Sequence, residues 1–286
     1  MNDYVIFTDS SADIPHEVAE RWGVPYSSLT FRFEDGIEHT NDDMPTSLFY
    51  ARMRSGEVAR TSAINAETFI ESFTEILEDG RDLIYVGFSS GLSTTYNSAR
   101  LAVETLRGKY PDRRIYAVDT LAASAGVALL IDRMLEKKRG GATIDEVYRY
   151  AESIKLSVCH WFTVDDLVYL KRGGRVSAAT ALVGNLLGIK PVLHVDDEGH
   201  LVSVSKVRGR RASLAALADA VGRSVLPEEK KVFISHGDCL GDAELLAKMI
   251  EEKYGLTAEL ICDVGPVIGA HSGPGTLALF FLGDKR

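Results

Sequence analysis

The chain has 286 residues, of which 45% are hydrophobic and 26% charged, and its formal net charge is −9. This composition is typical of a soluble globular protein with one large or two ordinary domains, and it excludes a disordered chain. The acidic balance argues against unaided binding to nucleic acid or to an anionic membrane. Because no apolar run approaches the roughly 18 residues of a spanning helix and no leader pattern opens the sequence, we expect a cytoplasmic protein.

The three cysteines, Cys159, Cys239 and Cys262, are widely spaced and odd in number. They form no Cys-x-x-Cys pair, so we interpret them as reduced thiols and not as a disulfide framework or a zinc site. We expect neither a metal nor another cofactor.

The first half of the chain alternates apolar strands with helices. Extended segments are predicted at 4–8, 24–29, 31–33, 83–88 and 115–118, and helices at 14–22, 46–54, 67–78, 121–138 and 143–156. Asp13 is the candidate cap of the first helix. This alternation predicts a mostly parallel sheet with helices on both faces, and ligands of such sheets bind beyond the carboxyl ends of the strands.

The second half has a different pattern. Strands are predicted at 158–164, 190–195, 201–207, 231–235, 258–263 and 276–282, and helices at 178–188, 209–224 and 240–253. The turn residues 196–199 predict a hairpin, so this half forms a mixed sheet covered by helices. We therefore expect a two-domain α/β protein, with domains 1–157 and 158–286 and a ligand pocket between them.

The most informative segment is 83–99, in which an apolar strand runs into a hydroxyl-rich loop and then a helix. The loop carries Ser89, Ser90, Ser93 and Thr94. Free backbone N–H groups at a helix start, together with hydroxyl donors, suit an anion or a carbonyl oxygen. The simpler interpretation is that Ser93 or Thr94 only caps the helix.

Six short segments stand in a recognisable order: FTDSSAD at 7–13, TS at 61–62, SGLS at 90–93, KRGGRVS at 171–177, GIKP at 188–191 and GPVIGAHSGPG at 265–275. Together they resemble the DegV family, bacterial fatty-acid-binding proteins related in fold to the substrate-binding part of dihydroxyacetone kinases. The resemblance extends from residue 4 to about 282. Two departures, Ala63-Ile64 after the Thr-Ser pair and Thr94 after the Ser-Gly-Leu-Ser motif, bear on pocket shape.

The resemblance implies a long-chain fatty acid as ligand and a separate ATP-dependent fatty acid kinase as partner. Thr61, Ser62, Ser93 and His271 would bind the carboxylate, and Arg175, with Arg172 as the other match, would handle the phosphate of the acyl phosphate. The chain itself would not be the catalyst, and contact with a membrane would be at most transient.

Each of these residues also has a simpler structural interpretation. On their own, Thr61 and Ser62 suit a cap or turn before a helix, His271 suits a solvated loop, and the basic run 171–175 suits a surface loop. Ordinary core packing explains the candidate tunnel residues equally well; these are Leu182, Leu186, Leu187, Ile189 and Ile268.

Two enzymatic alternatives remain open at this point. The sequence Gly87-Phe88-Ser89-Ser90-Gly91 matches the nucleophile elbow of a serine hydrolase, with Ser89 as nucleophile, although the helix begins later than the elbow requires. The kinase relationship also suggests a small-ketone or sugar-phosphate enzyme. No Walker-type phosphate loop is present, so ATP chemistry by this chain is not expected.

Overall fold

The computed structural model describes residues 3–177 and 188–286, and these two ranges form three β-sheets surrounded by helices. The strands are β1 Tyr4–Asp9, β2 Tyr26–Ser27, β3 Thr30–Arg32, β4 Glu38–Thr40, β5 Arg60–Ser62, β6 Asp82–Gly87, β7 Ile115–Asp119, β8 Val158–Thr163, β9 Ile189–Val195, β10 Leu201–Arg208, β11 Lys231–His236, β12 Thr257–Asp263 and β13 Leu277–Leu282. The helices are α1 His16–Trp22, α2 Thr46–Arg54, α3 Ala66–Glu78, α4 Thr95–Lys109, α5 Ala125–Arg139, α6 Ile144–Ile154, α7 Val168–Arg172, α8 Arg210–Ser224, α9 Leu240–Tyr254 and α10 Pro266–Ser272.

The first sheet is parallel and has the strand order β2-β1-β6-β7. The second sheet has the order β10-β9-β8-β13-β11-β12 and is mixed, because only β11 and β12 run parallel. A third, three-stranded antiparallel sheet has the order β4-β3-β5. The α/β fold class predicted from the sequence is confirmed, whereas the small third sheet was not foreseen.

Helix α5 lies between the two large sheets. Its apolar residues share one buried cluster with Ile6 and Ile84 of the first sheet and with Phe233 and Phe280 of the second. Burying both faces of this helix explains why its sequence, AGVALLIDRMLEKKR, is apolar almost all round its first turns. The helix thereby fixes one sheet against the other.

The described strands of the first sheet all precede residue 157, and those of the second all follow it. The boundary at that residue stays a prediction. Within the described ranges, no helix combines the length and apolar character needed to cross a membrane. Most of the helix predicted at 178–188, with Leu182, Leu186 and Leu187, lies outside the described residues.

Four local predictions are wrong. Asp13 does not cap α1, because Pro15 precedes that helix and Asp13 ends a short 3-10 turn at φ 51°. Thr61 and Ser62 lie on strand β5, and the cap of α3 is Asn65, whose side chain accepts from the Thr68 N–H. His271 lies in helix α10 and not in a loop, and the basic run begins inside α7.

Candidate functional site

A cavity of about 500 Å³ lies at the carboxyl end of the first sheet, between the segments that follow its strands and the second sheet. Its wall is mostly apolar, with Leu29, Phe88, Leu92, Phe162, Leu170, Val195, Leu201, Val264, Val267, Ile268, Ala278 and Phe280. Its polar lining residues come from β5, the loop before α4, the residues before α5, the second sheet and α10 with its flanking loop. This volume is within the roughly 300–1,000 Å³ that small-molecule sites occupy, and the mixture of a long apolar wall with a few polar groups suits an amphipathic ligand.

Thr61 and His271 form the first polar contact of the cavity wall, with 2.8 Å between Thr61 Oγ1 and His271 Nε2. Helix α10 places the imidazole: it starts at Pro266 and ends at Gly273, whose φ is 82°. A Cβ at Gly273 would lie 2.3 Å from the Tyr169 ring, so both conformation and space require glycine there. The fold thus brings Thr61 of strand β5 into contact with His271 of helix α10, 210 positions away in the chain.

The His271 imidazole is neutral at physiological pH. Burial, with a smaller contribution from the Arg175 charge, lowers the pKa of His271 from 6.5 to about 4. Among the described residues, Nδ1 is buried without a hydrogen-bond partner. An unpaired acceptor is easier to bury than an unpaired N–H, so we place the proton on Nε2. Nε2–H then donates to Thr61 Oγ1, which leaves the Thr61 hydroxyl proton for a ligand oxygen.

Ser93 lies in the cavity wall where the hydroxyl-rich loop enters α4. The Ser89 carbonyl accepts the N–H groups of Leu92 (3.0 Å) and Ser93 (3.1 Å), which closes the loop into a turn. The N-cap residue is Thr94, whose side chain makes no capping bond, whereas Ser93 Oγ accepts the Thr95 N–H at 3.2 Å and lies 2.9 Å from Thr95 Oγ1. The hydroxyl therefore has a fixed orientation beside the cavity.

Arg175 brings a partly buried positive charge to the same cavity. Its Nε and Nη2 donate to the Leu92 carbonyl at 3.1 and 3.0 Å, and Nη1 donates to the Gly173 carbonyl. Among the described residues, no carboxylate forms a salt bridge with this guanidinium, and burial lowers the pKa of Arg175. A desolvated cation held only by carbonyls favours an anion in the cavity.

Two of the predicted site residues are not brought to the cavity wall. The Ser62 side chain is exposed, as strand alternation requires when its neighbour Thr61 faces inward. Arg172 is exposed at the end of α7, with its guanidinium carbon 5.6 Å from the centre of the Tyr169 ring. The structure thus groups Thr61, Ser93, His271 and Arg175.

Five buried polar residues of the cavity wall were not predicted as site residues: Ser124, His160, Ser235, Ser272 and Thr276. His160 and Ser235 lie on strands of the second sheet that are mostly apolar, VCHWFT and KVFISH. A polar residue at an inward position of an apolar strand was the available signal. Ser124 carries no such signal, because it follows a loop whose path depends on the fold.

The geometry of Ser89 does not fit a serine nucleophile. The residue is fully buried and is not part of the cavity wall. Its hydroxyl donates to the Gly199 carbonyl at 2.9 Å and accepts the Gly91 N–H at 3.1 Å. Its only proton is therefore directed at a backbone carbonyl and not at an imidazole, and helix α4 starts at Thr95, too late for an elbow. The hydrolase alternative is wrong on this geometry.

Comparison with known proteins identifies the family. A family model described as "Uncharacterised protein, DegV family" matches residues 3–284. A DegV domain-containing protein of Clostridium perfringens is 43% identical, with 100% of this chain and 99% of the relative covered. A protein of Thermotoga maritima named fatty acid-binding protein is 34% identical, with 95% of each chain covered.

Solved structures agree with this assignment. The crystal structure of a DegV lipid binding protein from Thermotoga maritima superimposes with a TM-score of 0.87 at 32% identity, covering 99% of each chain. The match to the family model, the sequence relatives and the shared fold each extend over nearly the whole chain. The chain belongs to the DegV family.

Proposed function

We propose that this protein binds a long-chain fatty acid in the cavity at the carboxyl end of the first sheet, with the carboxyl group at Thr61, Ser93 and His271. The observation that carries the proposal is the single cavity of about 500 Å³ that joins a long apolar wall to these polar groups. Relatives described as lipid-binding and fatty acid-binding proteins support the ligand class.

The polar end of the cavity suits a carboxylate. Thr61 and Ser93 offer hydroxyls, His271 is neutral, and the Arg175 guanidinium supplies positive charge without a paired carboxylate among the described residues. Hydrogen bonds to an ionised oxygen are stronger than neutral ones, so the hydroxyls and the imidazole orient the head while the guanidinium offsets its charge. The carboxylate oxygen remains available for chemistry.

The acyl chain would provide most of the affinity. Burying about twelve methylene groups at roughly 0.8 kcal/mol each gives on the order of 10 kcal/mol. Association and ordering consume several kcal/mol of this, which leaves micromolar or tighter binding. The apolar wall would therefore determine affinity, and the polar groups would determine orientation.

The double substitution Ser93→Ala with His271→Ala tests the head site. We expect the fold to persist and the dissociation constant for palmitate to rise about tenfold or more, which is about 1.4 kcal/mol of lost polar contacts. Ser62→Ala is the matched control, because the Ser62 hydroxyl is exposed and its loss should change binding less than about twofold. Unchanged affinity in the double variant would remove both residues from the site.

We further propose that the bound acid is presented to a separate fatty acid kinase, which transfers a phosphoryl group from ATP to the carboxylate. The support is the resemblance of the Gly-Gly-Arg segment, together with an Arg175 guanidinium that donates to the Leu92 and Gly173 carbonyls and has no carboxylate partner within the described ranges. A planar guanidinium beside the carboxylate would bind the oxygens of the acyl phosphate. This partner would place the protein in the cytoplasm.

Trapping of acyl phosphate with hydroxylamine, using a purified bacterial fatty acid kinase and ATP, tests the presentation step. Arg175→Lys should lower product formation at least about tenfold while palmitate binding falls less, because a lysine keeps the charge but not the fork geometry. Arg172→Lys is the control for the exposed arginine and should leave the rate unchanged. The reverse result would assign the phosphate to Arg172.

A further inference from the structure

The cavity wall contains a second group of buried polar side chains, separate from the proposed head site. Ser124, His160 and Ser235 are each more than nine-tenths buried and line the same cavity. Within the described ranges, no hydrogen bond joins them to Thr61, Ser93 or His271. An alkyl chain makes no use of such groups, so their acceptors are available to a polar substituent on the ligand.

Ser235, Ser124 and Asp13 form a hydrogen-bonded chain whose direction can be assigned. Ser124 Oγ donates to Asp13 Oδ2 at 2.6 Å and lies 2.8 Å from Ser235 Oγ. Burial raises the pKa of Asp13 to about 7, and above that pH the ionised carboxylate takes the Ser124 proton, so the Ser235 hydroxyl donates to Ser124. Asp13 Oδ1 in turn accepts the Gly265 N–H at 3.0 Å. The Ser235 oxygen is therefore left as an acceptor.

His160 offers a second acceptor. Its Nδ1 lies 2.9 Å from the Val158 carbonyl, so Nδ1 carries the proton and donates it. Burial holds the pKa of His160 well below 6.5, which keeps the ring neutral and Nε2 unprotonated. The partner of Nε2 is the Ala123 N–H at 3.4 Å, a long contact at the limit of a hydrogen bond. This acceptor is incompletely satisfied.

The backbone that holds this group is strained. Ser124 has φ 54° and ψ −146°, a conformation that residues other than glycine rarely adopt. Such strain tends to occur at binding sites, where the surrounding structure enforces it. The nearby Ser272 hydroxyl, also in the cavity wall, is buried and has no hydrogen-bond partner among the described residues.

We propose that Ser235 and His160 form a subsite for a hydroxyl group carried on the acyl chain, so that the protein accepts hydroxylated fatty acids. Two acceptors on residues that line the cavity match a donor, which a hydroxyl has and a ketone lacks. A chain hydroxyl donates to His160 Nε2 or Ser235 Oγ and recovers the hydrogen bond that it loses on leaving water. This inference rests on the proposed fatty acid function and deepens it.

Competition binding to delipidated protein tests the subsite, with stearic acid, a series of hydroxystearic acids and the matching oxostearic acids as probes. We expect one hydroxy isomer to bind at least as tightly as stearic acid, and its oxo counterpart to bind about tenfold more weakly than that isomer. In a wall without acceptors, every hydroxy isomer would be about tenfold or more weaker than stearic acid, which would overturn the proposal.

Ser235→Ala assigns the effect to the residue. The ratio of hydroxystearic to stearic acid dissociation constants should rise about fivefold, while the stearic acid value itself changes little. Ser90→Ala, another serine of the cavity wall outside this group, should leave the ratio unchanged. An unchanged ratio in Ser235→Ala refutes the subsite. Failure of stearic acid and all its derivatives to bind would instead refute the proposed function and the subsite with it.

Discussion

Gly173 controls the position of His271 without lining the cavity, so its substitution isolates the role of the imidazole. A Cβ at Gly173 would lie 2.2 Å from His271 Nδ1, although the backbone, at φ −71° and ψ −12°, accepts alanine. Removing this overlap requires a movement of about 1 Å, since carbon contacts are normal at roughly 3.5 Å. The 2.8 Å contact between Thr61 Oγ1 and His271 Nε2 would then be lost.

The magnitude follows from that contact. Losing one partly buried hydrogen bond costs about 1–1.5 kcal/mol, so Gly173→Ala should weaken palmitate binding about tenfold. Calorimetric titration of delipidated protein measures the change. Gly108→Ala is the matched control, because a Cβ there meets nothing within 4 Å and the site is an exposed helix position. The control should bind normally and unfold at slightly higher denaturant. Normal binding by Gly173→Ala would refute the role assigned to His271.

Three further predictions concern titration, structure and reactivity. Because the pKa of His271 is about 4 when folded and 6.5 as a model value, the unfolded chain binds more protons in between, and stability is lost as the pH falls through that window. The difference of 2.5 pH units, from 6.5 − 4, corresponds to at most about 3 kcal/mol of the free energy of unfolding. In urea titrations at falling pH, His271→Gln should therefore lose less stability than the parent protein. Parallel losses in the two proteins would contradict the assigned titration. Arg286→Ala should lower the free energy of unfolding by about 2–4 kcal/mol, because the guanidinium donates to four backbone carbonyls, those of Leu121, Lys155, Val158 and Asp196. The control Lys285→Ala, at an exposed side chain, should change this free energy by less than about 0.5 kcal/mol. Equal effects of the two substitutions would refute the role given to the Arg286 hydrogen bonds. A fluorophosphonate probe should not label Ser89, whose hydroxyl is buried and donates to Gly199, and labelling there would restore the hydrolase interpretation.

The second sheet could be predicted from the sequence almost strand by strand. Its strands are apolar runs separated by clear turn residues, such as 196–199, and the antiparallel pairing of β9 with β10 follows from that turn. Strand β5 could not be predicted, because a segment of three residues, Arg-Thr-Ser, has no apolar alternation and pairs only through β3. Its tertiary partner, not its own sequence, determines its conformation.

Helix α10 was hidden by its composition. The segment 265–275 is rich in glycine and proline, which favours a loop interpretation, yet proline is well suited to the first position of a helix and glycine to the residue after the last. Asp13 was predicted to cap the first helix, but its carboxyl oxygens accept hydrogen bonds from Ser124 Oγ and from the Gly265 N–H, both far away in the chain. Long-range hydrogen bonds of this kind leave no local pattern.

The candidate site was predictable only in part. Resemblance to a family brought Thr61, Ser93, His271 and Arg175 together before their geometry was known, and the structure places all four at one cavity. Their roles stay predictions. Thr61 lines the cavity and Ser62 does not, because only one face of β5 points inward. The apolar runs of the sequence do not determine which face this is for a strand of three residues.

Native mass spectrometry of the purified protein, followed by organic extraction of the released ligand, tests the central claim most directly. We predict a bound species with the mass of a long-chain fatty acid that leaves on denaturation, and a lower occupancy by that species in the Ser93→Ala, His271→Ala variant purified in the same way. A wild-type protein that carries no such mass and takes up neither added palmitate nor oleate would contradict the proposed function.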